Sequence, residues 1–255
     1  MKTRSLFPYA GGKFYLMNEI REVFEKSGRH VAVDVFGGSG KFLLNVDARS
    51  KVYNDLDSRL VNLFRIAKER PDELVAWFKY PLHSRELFNE FKSTEEETDE
   101  VASAAKTLYL HYVSFAAKGE TFGYGAKPRG PTMVKIENAL GMLSELHQEI
   151  RLWTIEHLDF RELMKRYDSE EAFFYLDPPY HGKKFYRHNF DEKDFEDLAC
   201  LLPSLRGKYV LTINKREDTL EKFGSPSREC MFKNFCDNAR NGRIRGSRVE
   251  LFYWN

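Results

Sequence analysis

The sequence predicts an α/β fold: a parallel sheet flanked by helices and interrupted by one long helical segment. Three observations carry this expectation. HVAVDVFGGSG reads as a buried-type strand running into a glycine turn, and KVYNDLD reads as a second short strand ending in acids. Helix-spaced stretches lie on either side of them, an alternation that favours parallel strands joined by crossover helices. From about residue 58 to residue 147 the strand pattern vanishes, and beyond it the pattern returns, as expected when a helical body is inserted into one sheet.

In chain order, KFYLMNEIREVFEKSG follows the pair Gly11-Gly12, places Leu16, Ile20, Val23 and Phe24 on one stripe, and stops at Gly28. Behind the second strand, SRLVNLFRIAKER repeats apolar side chains at Leu60, Leu63, Phe64 and Ala67 with helical spacing. The helical segment is broken by EEETDE, a solvated acidic run, and by KGETFGYGAKPRGP. Alternation resumes with IRLWTIE and AFFYLDPPY as strands, DEKDFEDLACLLPSL as a helix, and KYVLTIN, RECMFKNF and SRVELFYW as strands.

A chain of 255 residues that is 42% hydrophobic can bury a substantial core. Its net charge of +1 excludes a polycation, so nucleic acid would have to meet a local basic surface. The three cysteines, Cys200, Cys230 and Cys236, are odd in number and lack CxxC spacing, which argues against a disulfide framework or a zinc site. The basic start MKTRSLFPYAGGK lacks the apolar stretch of a signal peptide, and no run approaches membrane-spanning length. The expectation is a soluble intracellular protein without a metal.

Neither glycine stretch is a P-loop, which needs Ser or Thr after its Gly-Lys and a glycine at its start. GGSGKF offers Phe42 and Val35 at those places, and AGGKFY offers Phe14 after the lysine. The GGSG turn gains meaning from Asp55, which closes the next strand about 20 residues beyond the turn's opening, where a Rossmann-type sheet presents an acid to ribose hydroxyls. Gly37, Gly38 and Gly40 would let backbone approach a ligand, and Asp34 at the strand tip could meet a ligand's amino group. A nucleoside-containing cofactor is implied, with dinucleotides and S-adenosylmethionine both fitting.

YLDPPY, residues 175–180, puts a carboxylate, two prolines and a ring where an apolar strand ends. Proline fixes its own backbone angle and restricts the residue before it, so Asp177-Pro178-Pro179 is a stiff, extended turn. Taken in order, PYAGGK, DVFGGSG, NDLD, a helical insertion, DPPY and the closing RVELFYWN resemble the DNA adenine methyltransferase (Dam) family. The resemblance implies a Rossmann-like S-adenosylmethionine-dependent methyltransferase sheet built by a discontinuous catalytic domain, residues 1–57 and 148–255. It also implies an inserted, mainly helical target-recognition domain over residues 58–147.

The implied reaction moves a methyl group from S-adenosylmethionine to the N6 amino group of an adenine flipped out of double-stranded DNA, leaving S-adenosylhomocysteine. An exocyclic amino group is a poor nucleophile because its lone pair is delocalised into the ring. By the resemblance, the Asp177 carboxylate and the Pro178 carbonyl accept its hydrogens, so that the lone pair is aimed at the methyl group by positioning and electrostatic preorganisation. Tyr180 would stack on the extruded base, worth about 1–3 kcal/mol against a flipping cost of about a few kcal/mol. Tyr9, often Trp in the family, and Lys13 would line the cofactor site with Asp34, Gly38, Asp55 and Asp177, and the segment from Glu156 to Leu158 would form an adenine-side wall.

The recognition pattern of GATC-specific members is missing from HYVSFAAKGETFGYGAKPRGP, so that target word does not carry over. Lys127, Arg129 and Tyr124 there are candidates for DNA contact. ARNGRIRGSR, with Arg240, Arg243, Arg245 and Arg248 and no acid, reads as a hairpin loop whose arginines suit phosphates or guanine edges. The implied setting is a cytoplasmic monomer, in a prokaryotic cell or a virus-infected host, with a restriction endonuclease as a candidate companion. Three alternatives stand beside this reading. One is the same chemistry on RNA or on cytosine, another a nucleotide-binding oxidoreductase, and the third a non-catalytic DNA-binding module.

Overall fold

Successive side chains of a strand point to opposite faces, so a sheet covered on both sides must be apolar at nearly every position. β1 (Val31–Asp34) and β4 (Ala172–Leu176) meet that condition, and with their neighbours they form the centre of the molecule. The computed structural model describes residues 4–9, 11, 13–80, 83–94, 98–123, 132–179, 188–233 and 247–255. Tyr124, Lys127, Arg129, Tyr180, Arg240, Arg243 and Arg245 lie outside the described residues.

Among the described residues one seven-stranded sheet runs in the order β3-β2-β1-β4-β5-β7-β6. The remaining strands are β2 (Ser50–Asn54), β3 (Thr154–Glu156), β5 (Lys208–Asn214), β6 (Arg228–Lys233) and β7 (Ser247–Trp254). β3, β2, β1, β4 and β5 are parallel; β7 and β6 are antiparallel, as the hairpin read around ARNGRIRGSR requires. The reason is local: β6 and β7 are consecutive strands paired as a hairpin, with Lys233 opposite Ser247. Because Glu250 pairs with Asn214, both ends of the arginine loop are anchored at the C-terminal end of β5.

One face of the sheet, with Ala32, Tyr53, Phe173, Tyr175, Val210 and Phe252, packs on α1 (Met17–Ser27) and on the helices between β2 and β3. Those are α2 (Ser58–Glu69), α3 (Pro71–Trp77), α4 (Arg85–Ser93), α5 (Glu100–Val113) and α6 (Thr132–Ile150), and they share one core with the sheet. The stripe read from the sequence buries Leu16, Ile20 and Phe24, and α1 ends at Gly28 with φ of 65°, a left-handed cap that suits glycine. The opposite face, with Val33, Val52, Phe174, Leu176, Leu211 and Leu251, packs on α7 (Phe160–Tyr167), α8 (Glu192–Leu201) and α9 (Glu217–Phe223).

Two differences from the sequence reading bear on the site. IRLWTIE is strand only at its last three residues: Ile150 closes α6, Leu152 is exposed, and Trp153 turns inward to lie 5.9 Å from the Phe64 ring. The stretch after it, to which the sequence reading gave no element, forms α7, with Asp159 capping the backbone N–H of Arg161 and Phe160, Leu163 and Met164 buried. This helix places Asp159 and Phe160 against the cleft described next.

Candidate active site

The chain leaves β1 toward β2 on one side, while β4 lies on the other, so a crevice opens at the C-terminal ends of these strands. It is lined by Tyr9, Lys13, Asp34, Gly38, Asp55 and Asp177, among others. These six residues thus face one cleft, with Gly37 beside them, whereas Gly40 and Glu156 are not on its lining. Pro178 is buried beside it and Pro179 lines it.

Asp177 stands one residue beyond the end of β4, with both carboxylate oxygens engaged. Lys13 Nζ donates to Oδ1 at 2.6 Å, the Thr212 hydroxyl lies 3.2 Å from the same oxygen, and the Tyr175 hydroxyl lies 3.4 Å from Oδ2. Lys13, which the family resemblance places at the cofactor site, is only 8% exposed. Three donors on three elements fix the carboxylate's direction, which the stiff prolines behind it reinforce.

Asp34 is in a different state. It is 1% exposed, and neither of its oxygens has a hydrogen-bond partner among the described residues. Burial, with the neighbouring charges of Asp177 and Asp55 adding to it, raises its carboxyl well above the usual range. Asp55 accepts the N–H groups of Gly38 and Asp57, each at 2.9 Å, yet burial outweighs them and pushes its carboxyl up to about 6. Of the three acids around the cleft only Asp177 has a basic partner among the described residues, so a cationic group of a ligand would be favoured beside the other two.

The glycine turn is shaped by aromatic packing. A Cβ at Gly37 would lie 2.3 Å from the Tyr53 ring, and one at Gly38, where φ is 50°, would lie 2.9 Å from Tyr9. The turn therefore brings backbone against rings on its Cβ side, while Tyr53 donates to the Gly38 carbonyl at 2.9 Å. Tyr9 is backed by Phe7 and His111, at ring distances of 5.9 and 5.3 Å. Burial pushes His111 down to about 4, so its ring is neutral and stacks on Phe7 at 4.8 Å.

The far wall consists of Phe36, Phe160 and Phe190, with ring centroids 5.2 to 5.9 Å apart. Asn54 pins it in place: its amide donates to the carbonyls of Val35 and Leu158 at 3.0 and 3.1 Å and accepts the Leu158 N–H at 2.8 Å. Leu158 lines the cleft, whereas the Glu156 carboxylate accepts the Tyr167 hydroxyl at 2.7 Å on α7. Of the segment read as a wall, its end faces the crevice and its acid serves the helix behind.

Sequence reasoning passed over Thr212, Asn54, the phenylalanine wall and Lys41. Thr212 carries a faint signal, a polar side chain between Leu211 and Ile213 in the buried stretch of β5, whereas Asn54 is only the polar residue that closes β2 after Val52 and Tyr53. Lys41 lies half-buried on the cleft wall with its ammonium 5.8 Å from the Phe14 ring centre.

With this geometry in hand, comparison with known proteins is informative. A model of the D12 class N6 adenine-specific DNA methyltransferases matches residues 9–233. The chain is 25% identical over 240 residues to a DNA adenine methylase of Escherichia coli (strain K12), covering 86% of this chain and 82% of that one. It is 27% identical over 236 residues to a DNA adenine methylase of Serratia marcescens, covering 80% and 79%. A third relative, the Type II methyltransferase M1.LlaDCHI of Lactococcus lactis subsp. cremoris, is 23% identical over 257 residues, covering 91% and 85%.

Proposed function

Because the chain belongs to the D12 class of N6 adenine-specific DNA methyltransferases, we propose that methyl transfer takes place in the cleft at Asp177, with the residues above in the following roles. The reaction is methylation of the N6 amino group of adenine in DNA, with S-adenosylmethionine as donor. The observation that carries the site assignment is the convergence on one crevice, at the strand switch point, of Asp177, Asp55 and Asp34, the last without a hydrogen-bond partner among the described residues.

The residues fit the donor. S-adenosylmethionine supplies a methyl group on a positively charged sulfonium. Asp34, buried with both oxygens bare, suits its ammonium group; Asp55 suits ribose hydroxyls; the flat faces of Phe36, Phe160 and Phe190 suit a purine. Tyr9 and Lys13 close the side of the cleft next to Asp177.

Asp177 accepts one hydrogen of the target amino group, and the Pro178 carbonyl accepts another. The fixed direction of the carboxylate, set by Lys13 and Thr212, lets it do so without reorganising as charge develops. A base stacked in a duplex cannot reach the end of β4 inside a cleft, so the adenine enters flipped, with Tyr180 stacking on its face. The amino proton lost on methylation leaves through the Asp177 side.

Residues 1–57 and 148–255 are assigned to catalysis and residues 58–147 to target recognition. Arg240, Arg243 and Arg245 are assigned to the DNA backbone or guanine edges, since their loop is anchored at the cleft end of the sheet. Lys127 and Arg129 are assigned to DNA contacts of the insertion. No helix among the described residues is long and apolar enough to cross a membrane. A cytoplasmic monomer acting on DNA is the setting this suggests, and the Type II relative makes a restriction endonuclease the companion to look for.

The test is methyl transfer from labelled S-adenosylmethionine to duplex DNA or single-stranded RNA, followed by digestion to nucleosides. Label should appear in N6-methyldeoxyadenosine from the duplex. Label only in a methylated cytosine, or only in the RNA, would overturn the reading.

A further inference from the structure

The charged side chains that line the cleft can be accounted for one by one. Lys13 pairs with Asp177 at 2.6 Å, Asp57 pairs with Arg59 at 2.7 Å, and Asp159 and Asp194 pair with Arg161 at 3.0 and 2.6 Å. Asp55 accepts two backbone N–H groups. Among the described residues two charged lining groups have neither an ion pair nor a hydrogen bond from the side chain: Asp34 and Lys41. They have opposite sign and flank the same glycine turn, Asp34 ahead of it on β1 and Lys41 just behind it.

An acid and a base left bare on one wall are the complement of a zwitterion, and the methionine end of the donor is one. Asp34 suits its ammonium, and with Lys13 already paired to Asp177, Lys41 is the basic side chain on the described lining left to meet its carboxylate. We propose that Lys41 receives the carboxylate of S-adenosylmethionine, so that this chain binds the donor's amino-acid end between Asp34 and Lys41. The inference rests on the reading that the donor's ammonium lies against Asp34. A partly buried ammonium with no counter-ion is disfavoured by lost hydration, and burial accordingly lowers the pKa of Lys41, with the charge of Asp177 opposing and that of Lys13 adding to the effect. A DNA phosphate is the weaker candidate, because Lys41 sits on the wall of the cleft beside the glycine turn that forms its floor.

The experiment is direct binding of S-adenosylmethionine and of its decarboxylated analogue to the full chain and to Lys41→Met, Lys41→Gln and Asp34→Asn, with thermal unfolding to verify folding. A charge-assisted hydrogen bond of this kind sets the expected loss at about tenfold or more. Lys41→Met and Lys41→Gln should weaken the donor by that factor and leave the decarboxylated analogue within about twofold, so that the wild-type preference for the carboxylated form disappears. Equal weakening of both ligands, no weakening of either, or a loss confined to DNA affinity would overturn the proposal. If Asp34→Asn weakens the donor and the Lys41 variants do not, the Lys41 assignment alone falls. If neither does while wild type binds, the donor lies elsewhere and the site reading falls with it.

Discussion

Asp177→Ala is expected to lower methyl-transfer turnover about a thousandfold or more while leaving the Kd for duplex DNA within about threefold. The size follows from what the carboxylate does. It is held by Lys13 at 2.6 Å, by Thr212 at 3.2 Å and by Tyr175 at 3.4 Å, so in the proposed role it would accept the hydrogen of the target amino group without reorganising. Preorganised groups of this kind are typically worth about 10²–10³ in rate, and here the same group also faces the donor. DNA affinity is set by phosphate contacts that Asp177 does not make. Removing the carboxylate also takes away the 2.6 Å partner of a buried lysine, so Asp177→Asn, which keeps an acceptor for Thr212, serves as the folded control. Single-turnover methylation and equilibrium DNA binding measured on both variants check this, and a variant as fast as wild type would remove Asp177 from the chemistry.

The second large effect is on stability against pH, through Asp55. Its carboxyl titrates near 6 in the folded protein because burial disfavours the charged form, against 3.8 for an unperturbed aspartate. A raised folded pKa means that its contribution is complete below the unfolded pKa and is lost as pH rises through the folded one. At 1.36 kcal/mol per unit the full shift is worth about 3 kcal/mol, most of which is lost between pH 4 and pH 7. Asp55→Asn cannot ionise, so its constant hydrogen-bond penalty is independent of pH. Urea unfolding at pH 4 and pH 7.5 should therefore show the variant gaining on wild type by up to about 3 kcal/mol at the higher pH. Parallel pH profiles for the two proteins would show that Asp55 is ordinary. Ribose hydroxyls donating to Asp55 would favour its charged form, so donor binding should strengthen over the same pH range.

Much of the cleft was legible because its parts are local. A strand, a glycine turn and an acid at the next strand's end are contiguous words, and so is the stiff DPPY turn; they place Asp34, Gly38, Asp55 and Asp177 without any knowledge of distant contacts. What escaped is made across the sequence. Thr212 meets Asp177 from 35 residues away, and Asn54 meets Leu158 from 104 residues away, so neither role can be read from neighbours in the chain. Lys41 looked like a failed P-loop lysine, and its ammonium stands out only when the other charges on the wall, Asp34 apart, are seen to have partners among the described residues. Trp153 misled in another way: it continues an apolar run, but it fills the space beside Phe64 as a turn residue rather than extending β3. Glu156, at the end of β3, points to α7, a helix that had not been recognised.

A crystal structure of the chain with S-adenosylmethionine bound tests the central assignment most directly. It should show the ribose on Asp55, the ammonium on Asp34, and the methyl group facing the space beside Asp177 and Pro179. A donor bound outside this crevice, or inside it with its methyl group turned away from Asp177, would contradict the account.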